Sequence, residues 1–312
     1  MSLLSLAAAW GSASNNPVSF GDAQSSSRHA RTNYYDEQGW RHWRSCEFQA
    51  IGPLDQVIFA LLGGRVDKIG SECKVWQQSR HCRCSAPLDM LGRNHTVVEI
   101  GANDGLHMSN SRFFDMQLGW RSLCVEANPQ VYSRLKVNRP ECLNVNTIVA
   151  ERQDFDNANA VPYISFSRPA TAAETGSRDW HTGVSGIESP NASNLEIRSF
   201  HRSKEFAKRN NLLVQRDFLP VMPFSELFKK HGFSTIDLLS VDVEGAEHSV
   251  IKSIDFAAVK IRMVVVEKPS QETKAILSRA GFIDLDLETR LFDRFYHNRN
   301  WFVPAPRNGR EW

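Results

Sequence analysis

The chain reads as an α/β protein: a doubly wound, mostly parallel sheet of seven strands ending in an antiparallel C-terminal hairpin, with an N-terminal helical appendage ahead of it. Three observations carry this expectation. From Thr96 onward, apolar strand-like runs alternate with helical patterns, the signature of βαβ units in a parallel sheet. The first of those runs opens into the turn "VVEIGANDG", Val97 to Gly105, at the place where such sheets seat their ligands. Near the C-terminus, "FIDLDLETR" and "FYHNRNWFVP" alternate like paired strands with "LFDR" between them, which requires at least one antiparallel strand.

Residues 1–33 are expected to be disordered, because the Ser, Asn, Ala and Gly that dominate positions 11–33 cannot offset the entropy of ordering. Residues 34–93 form the appendage. Trp40, Trp43 and Trp76 give it apolar surface, and "LDQVIFALLGG" reads as an amphipathic helix closed by Gly63 and Gly64 and packed on the main domain. The main domain spans 94–303. Its strands are Val97 to Ile100, Ser122 to Glu126, Leu143 to Val149, Ile236 to Val241 and Arg262 to Glu267, with helices after Gly105, Pro129, Gly245 and Pro269. Between Gln153 and Val221 a long polar stretch carries two strand-like pieces, "PYISFS" and "LLVQR". A stretch of that length inside an α/β domain reads as an insertion or lid. Residues 304–312 form a tail.

At 312 residues one substantial core is expected. With 37 Lys and Arg against 35 Asp and Glu the formal charge is +2, so bulk electrostatics suggest no nucleic-acid partner. The longest apolar runs, such as Val57 to Leu62, are far too short for a transmembrane segment. The start "MSLLSLAAAWGSAS" pairs an apolar run with small residues as a secretory signal does. No Lys or Arg precedes it, which favours the cytoplasm. Sequons at Asn94 and Asn191 and four cysteines ahead of the glycine turn suit the secretory pathway instead. Cys124 and Cys142 fall in strand-like runs and are expected to act as small hydrophobes. Cys46, Cys73, Cys82 and Cys84 are read as disulfide-bonded or reduced, since the single residue between Cys82 and Cys84 is the wrong spacing for a zinc module. No metal is expected.

The turn at Gly101 and Gly105 lets the chain wrap beneath a ligand at approaches a Cβ blocks. Glu126 follows Gly105 by 21 residues, at the end of the second strand, where a carboxylate can accept hydrogen bonds from both ribose hydroxyls. The G-x-G-x-x-G fingerprint that seats a pyrophosphate is missing. Glu99 and Asp104 place negative charge beside the loop, which favours a cation and repels phosphate. S-adenosylmethionine, with a ribose, an amino group, a positive sulfonium and no phosphate, fits these observations.

"VVEIGANDG" and "SLCVEANP" resemble motif I and the second acidic motif of class I S-adenosylmethionine-dependent methyltransferases. "IDLLSVDVEGAEHSVIKSIDF", Ile236 to Phe256, resembles the Asp-x-Glu-Gly-x-Glu segment of the FkbM-type family, and the order "VVVEKPS", helix, "AGFIDLDLE" is similar to it too. The resemblance implies a Rossmann-like methyltransferase domain with S-adenosyl-L-methionine as cofactor. It implies that Glu99, Gly101, Asn103 and Gly105 line the methionine part, that Glu126 holds the ribose, that Ala150 approaches the adenine and that Asp242 borders the same cleft. "HTGVSGIES", His181 to Ser189, is similar to a Gly-x-Ser stretch of the family. The acceptor it implies is a hydroxyl on a sugar, glycan or other small molecule.

Methyl transfer to a hydroxyl needs alignment of donor and acceptor and a group to take the proton. Asp242 is the first candidate, Glu244 the second, because alternate strand residues share a side, and His181 the third. Glu247 can instead be read as a group that caps a helix start. Asp242, Glu244 and Glu267 offer oxygens of the kind Mg²⁺ takes, without a spacing that compels one. Two other functions fit parts of the pattern: a nicotinamide-dependent oxidoreductase, and a non-catalytic nucleoside or S-adenosylmethionine-binding protein.

Overall fold

The computed structural model describes residues 34–43, 46–50, 54–66, 83–167, 185–187, 205, 207–209, 211–288 and 293–301. In chain order its elements are β1 (Tyr34–Tyr35), β2 (Trp40–Trp43), α1 (Leu54–Leu61), β3 (Arg65–Val66), β4 (Cys84–Pro87), β5 (Thr96–Ile100), α2 (Arg112–Met116), β6 (Arg121–Val125), α3 (Pro129–Asn138), β7 (Leu143–Val145) and β8 (Ile148–Val149). They continue as β9 (Ala160–Ser167), β10 (Gly186–Ile187), β11 (Leu213–Met222), α4 (Phe224–His231), β12 (Thr235–Val241), α5 (Glu247–Lys252), β13 (Lys260–Glu267), α6 (Gln271–Arg279), β14 (Phe282–Glu288) and β15 (Asp293–Asn298).

Seven strands form the main sheet in the order β14-β15-β13-β12-β5-β6-β7. β15 runs antiparallel to both its neighbours, and the other pairs are parallel. The chain starts in the middle at β5, moves outward through β6 and β7, then returns to the other side of β5 as β12. The winding therefore reverses between β5 and β12, which opens a crevice at their C-terminal ends. Val97, Val98, Leu238, Leu239, Met263 and Val264 are fully buried, as expected of strands covered on both faces.

Three sequence expectations are corrected here. The strand expected over Leu143 to Val149 is broken into β7 and β8. Asn146 Nδ2 donates to the carbonyls of Glu126 and Ala127 at 2.7 and 2.8 Å, and Thr147 Oγ1 donates to the Pro220 carbonyl at 2.9 Å. These side-chain bonds divert the chain into a second sheet, β10-β9-β11-β8, where Ile148 pairs with Val221. "PYISFS" and "LLVQR" are the antiparallel partners β9 and β11 of that sheet. The appendage, in turn, is mainly strand among its described residues: a four-stranded sheet, β1-β2-β4-β3, with α1 as its helix. Arg65 lies 4.0 Å over the Trp40 ring and Arg41 5.1 Å over Trp43, cation–aromatic contacts made by residues of β2 and β3. Finally, Cys124 and Cys142 are a disulfide rather than two small hydrophobes, because β6 and the start of β7 bring their Cα atoms to 6.1 Å.

Cys46 and Cys84 form a second disulfide, and both bonds suit an oxidising compartment. Cys73, Cys82, Trp76, Asn191 and residues 1–33 and 304–312 lie outside the described residues. The appendage packs on the main domain through aromatic rings: Phe48 stacks on Phe113 of α2 at 4.3 Å, and Phe59 of α1 meets the same ring edge-on at 4.9 Å. No helix among the described residues is long and apolar enough to cross a membrane.

Candidate functional site

The ends of β5, β6, β12 and β13 converge on the crevice. Asp242 continues the β12 ladder by donating its N–H to the Ile100 carbonyl at 3.0 Å. Its own carbonyl then lies so near Gly101 that a Cβ there would stand 1.7 Å from the oxygen, and Gly101 also has φ +90°. Only glycine fits. At Gly105, φ +76°, a Cβ would stand 2.5 Å from Arg139 Cγ and from Leu135 Cδ1. Asn103 between them is left-handed too, φ 50°, which asparagine tolerates.

This turn delivers the Asn103 N–H to Glu126 Oε2 at 2.9 Å, and Glu126 Oε1 accepts from the Asn128 N–H at 2.7 Å. Each carboxylate oxygen keeps a second lone pair, so acceptor capacity remains at both for a pair of vicinal hydroxyls. Glu126 thus faces the glycine turn.

Glu99 does not line the crevice directly. It is buried beneath the loop, where Oε1 accepts from the Asn110 N–H at 2.6 Å and Oε2 from the hydroxyls of Ser109 and Ser111 at 2.9 and 2.6 Å. Those bonds hold residues 106–111 as a loop, which is why the helix expected after Gly105 begins only at Arg112. Asp104 is likewise engaged, accepting from the Leu106 and His107 N–H groups at 2.9 Å. The sequence reading missed Arg139. Fully buried, it donates to Asp115 from Nε at 3.0 Å, to Ser109 and Ser111 at 3.0 and 3.1 Å and to the Gly105 carbonyl at 3.3 Å. It ties both ends of the loop to α2.

At the other wall, carboxylate oxygens of Asp242, Glu244 and Glu267 lie within 4.8 Å of one another. Strand alternation is not the cause: β12 ends at Val241 and Glu244 is left-handed, φ 58°, so a turn folds its side chain back beside Asp242. Lys268, also left-handed at φ 44°, binds Glu267 with its ammonium. Such torsions at non-glycine residues cost about 1–3 kcal/mol each and gather at functional sites. Glu247 holds the turn, accepting from the Val243 and Gly245 N–H groups at 3.1 and 3.0 Å, which is the structural reading of that residue. Ala150 has no exposed surface and sits in the core of the small sheet with Val161, Tyr163 and Leu219. Ala127, partly open and next to Glu126, borders that apolar layer. His181 lies outside the described residues.

Burial, with Glu99 adding its charge, pushes Glu126 up to about 7. Asp242 is raised well above the usual carboxylate range by burial, then by Glu267 and Glu244. Glu244 is pushed up to about 7 by burial and by Glu267; the residue as a whole is exposed, so crowding by neighbouring acids carries more weight there than burial. Acids raised in the folded state bind protons more tightly than they do unfolded. Their favourable contribution is present below the unfolded values near 4 and is lost as pH rises through about 7. The ligand-free protein is therefore expected to melt at higher temperature at pH 6 than at pH 8, and the Glu126→Gln variant to show a shallower slope; thermal scans across that range check both.

The strand order with its reversed seventh strand, the glycine turn and the acid closing the second strand together define a class I α/β methyltransferase. Residues 99–293, well over half of the chain, match the methyltransferase FkbM domain. The chain belongs to that family and is a methyltransferase, which displaces the oxidoreductase and non-catalytic readings. Among solved structures it is similar to a TehB-like S-adenosylmethionine-dependent methyltransferase from Corynebacterium glutamicum, at 8% identity and TM-score 0.30 over 68% of this chain and 84% of that one. It is also similar to a precorrin-6y C5,15-methyltransferase from Geobacter metallireducens, at 11% identity and TM-score 0.30 over 67% and 82%. Likeness at that level carries no argument of its own. No curated protein matches the chain in sequence.

Proposed function

We propose that the enzyme moves the methyl group of S-adenosylmethionine onto a hydroxyl oxygen of a sugar, glycan or other small acceptor. One observation carries the donor assignment: Glu126, fixed from two sides by Asn103 and Asn128, faces a turn that only glycine can form. The residues fit that donor. Both oxygens of Glu126 can accept from a ribose, and the acids at the ends of β12 and β13 suit a positive sulfur better than a diphosphate. When bound, the donor supplies a methyl group on a sulfonium that is already a good leaving group.

The chain's own part is to bind, align and take a proton. The turn Gly101–Gly105 and Glu126 seat the nucleoside end. Asp242, adjacent in space to Gly101, would take the proton of an acceptor hydroxyl held beside the donor. Glu244 and Glu267 crowd Asp242 and raise its affinity for that proton. The choice of oxygen as the accepting atom follows the family resemblance, and the basic group is what an in-line displacement at a hydroxyl then needs.

Thermal-shift titration with S-adenosylmethionine and S-adenosylhomocysteine tests the donor assignment. A ligand at 100 times its Kd stabilises the native state by about 2.7 kcal/mol. Glu126→Gln keeps the side chain's size but gives up charged hydrogen bonds of about 2 kcal/mol, so the same ligand is expected to bind roughly 30-fold more weakly. A wild-type protein that neither ligand stabilises would end the assignment.

A further inference from the structure

We infer that the insertion contributes a positioning residue to the donor site: Ser185, backed by Tyr163, fixes Asn128 and through it the ribose acid Glu126. This rests on the donor reading above. Asn128 is the N-cap of α3, its Oδ1 accepting from the N–H groups of Gln130 and Val131 at 3.0 and 3.4 Å. That contact orients the amide, since the oxygen must face the helix and the nitrogen must point away. The nitrogen meets the insertion, 57 residues further along the chain, and donates to Ser185 Oγ at 3.3 Å. The Ser185 hydroxyl in turn is hydrogen-bonded to the Tyr163 phenol, which burial and the nearby Glu126 charge hold neutral.

Backbone register sets this arrangement. β10 begins directly after Ser185 and pairs with β9 so that Ile187 stands opposite Tyr163. Ser185, Asn128 and Tyr163 are only 6%, 1% and 6% exposed, so water does not readily replace a missing partner, and a lost bond there leaves a buried polar group unsatisfied. The main-chain N–H of Asn128 is also a donor to Glu126. Glu126 is therefore held by Asn103 from the β5 turn and, through Asn128, by the insertion. Ile187 and Tyr163 extend the apolar layer that borders Ala127. The described strands of the insertion thus border the nucleoside side of the crevice.

The test uses the full-length protein with S-adenosylhomocysteine and its 2′-deoxy analogue in a calorimeter. Ser185→Ala is expected to weaken S-adenosylhomocysteine about tenfold and to shrink the penalty for removing the 2′-hydroxyl, because Glu126 no longer aims at it. KM for S-adenosylmethionine should rise while kcat at saturation stays within about twofold. Ser185→Thr, which keeps a hydroxyl, should recover most of the affinity. Asn128→Asp, which keeps the helix cap but removes the donor toward Ser185, should reproduce the loss. Wild-type affinity in Ser185→Ala or in Asn128→Asp overturns the inference. So does a lowered melting temperature with an unchanged ratio between the two ligands, the mark of a purely structural role. A wild-type protein that fails to bind S-adenosylhomocysteine overturns the donor reading itself.

Discussion

The Arg139→Met protein is expected to lose about 3–5 kcal/mol of stability, the cost of breaking a buried ion pair from one side, and to melt about 10 °C lower. Arg139 has no exposed surface, and its partner Asp115 is 3% exposed, so solvent cannot take over the abandoned charge. Ser109, Ser111 and the Gly105 carbonyl lose a donor at the same time. Those groups shape the loop that Glu99 also holds, so binding of S-adenosylhomocysteine should weaken along with the fold. Adding Asp115→Leu should restore part of the loss, because an apolar pair of similar volume can replace a buried ion pair at little cost. Urea and thermal unfolding of the single and double variants check this. A single variant that melts within about 2 °C of wild type shows that the loop does not depend on the arginine.

Nothing in the sequence marks Arg139 out. It stands in "VNRPEC" at the end of an exposed amphipathic pattern, where a basic residue ordinarily meets water or the last helical carbonyls. Its partner Asp115 is 24 residues away, in a helix whose start the sequence misplaces because Glu99 captures the intervening loop. What local pattern encodes, the sequence shows. Val97 to Ile100, Ile236 to Val241 and Arg262 to Glu267 fall inside observed strands, since a strand buried on both faces reads as an unbroken apolar run. The glycine turn and Glu126 are legible because residue type and spacing along the chain carry them. Long-range polar bonds were not. The break at Asn146, the tie from Asn128 to Ser185 and the Cys124–Cys142 disulfide all depend on which strands become neighbours. Convergence of Asp242 and Glu244 was anticipated on the wrong ground, for a left-handed torsion at Glu244 brings it about and no residue-type pattern announces one there.

Asp242→Asn is expected to cut turnover by about 10²–10⁴-fold, the usual worth of a positioned general base, while S-adenosylhomocysteine still binds as in wild type. The substitution separates basicity from structure unusually cleanly at this site. Burial and the charges of Glu267 and Glu244 raise Asp242 far above the ordinary carboxylate range, and a hydrogen bond joins Asp242 to Glu267. In the ligand-free enzyme a protonated Asp242 can donate that bond to a Glu267 oxygen. An asparagine amide donates to the same oxygen, so the variant copies the resting state and should melt close to wild type. What it cannot do is accept a proton. Wild-type activity should keep climbing with pH well above the ordinary carboxylate range, since the base must be ionised to act and its folded pKa is raised; in the variant that climb should vanish, leaving a low and nearly pH-independent rate. Glu244→Gln, which removes one of the charges crowding Asp242, should shift the wild-type profile toward lower pH without abolishing turnover. An Asp242→Asn enzyme with undiminished kcat would remove the base from Asp242, and an unchanged pH profile in Glu244→Gln would show that the acids are not coupled as their proximity requires.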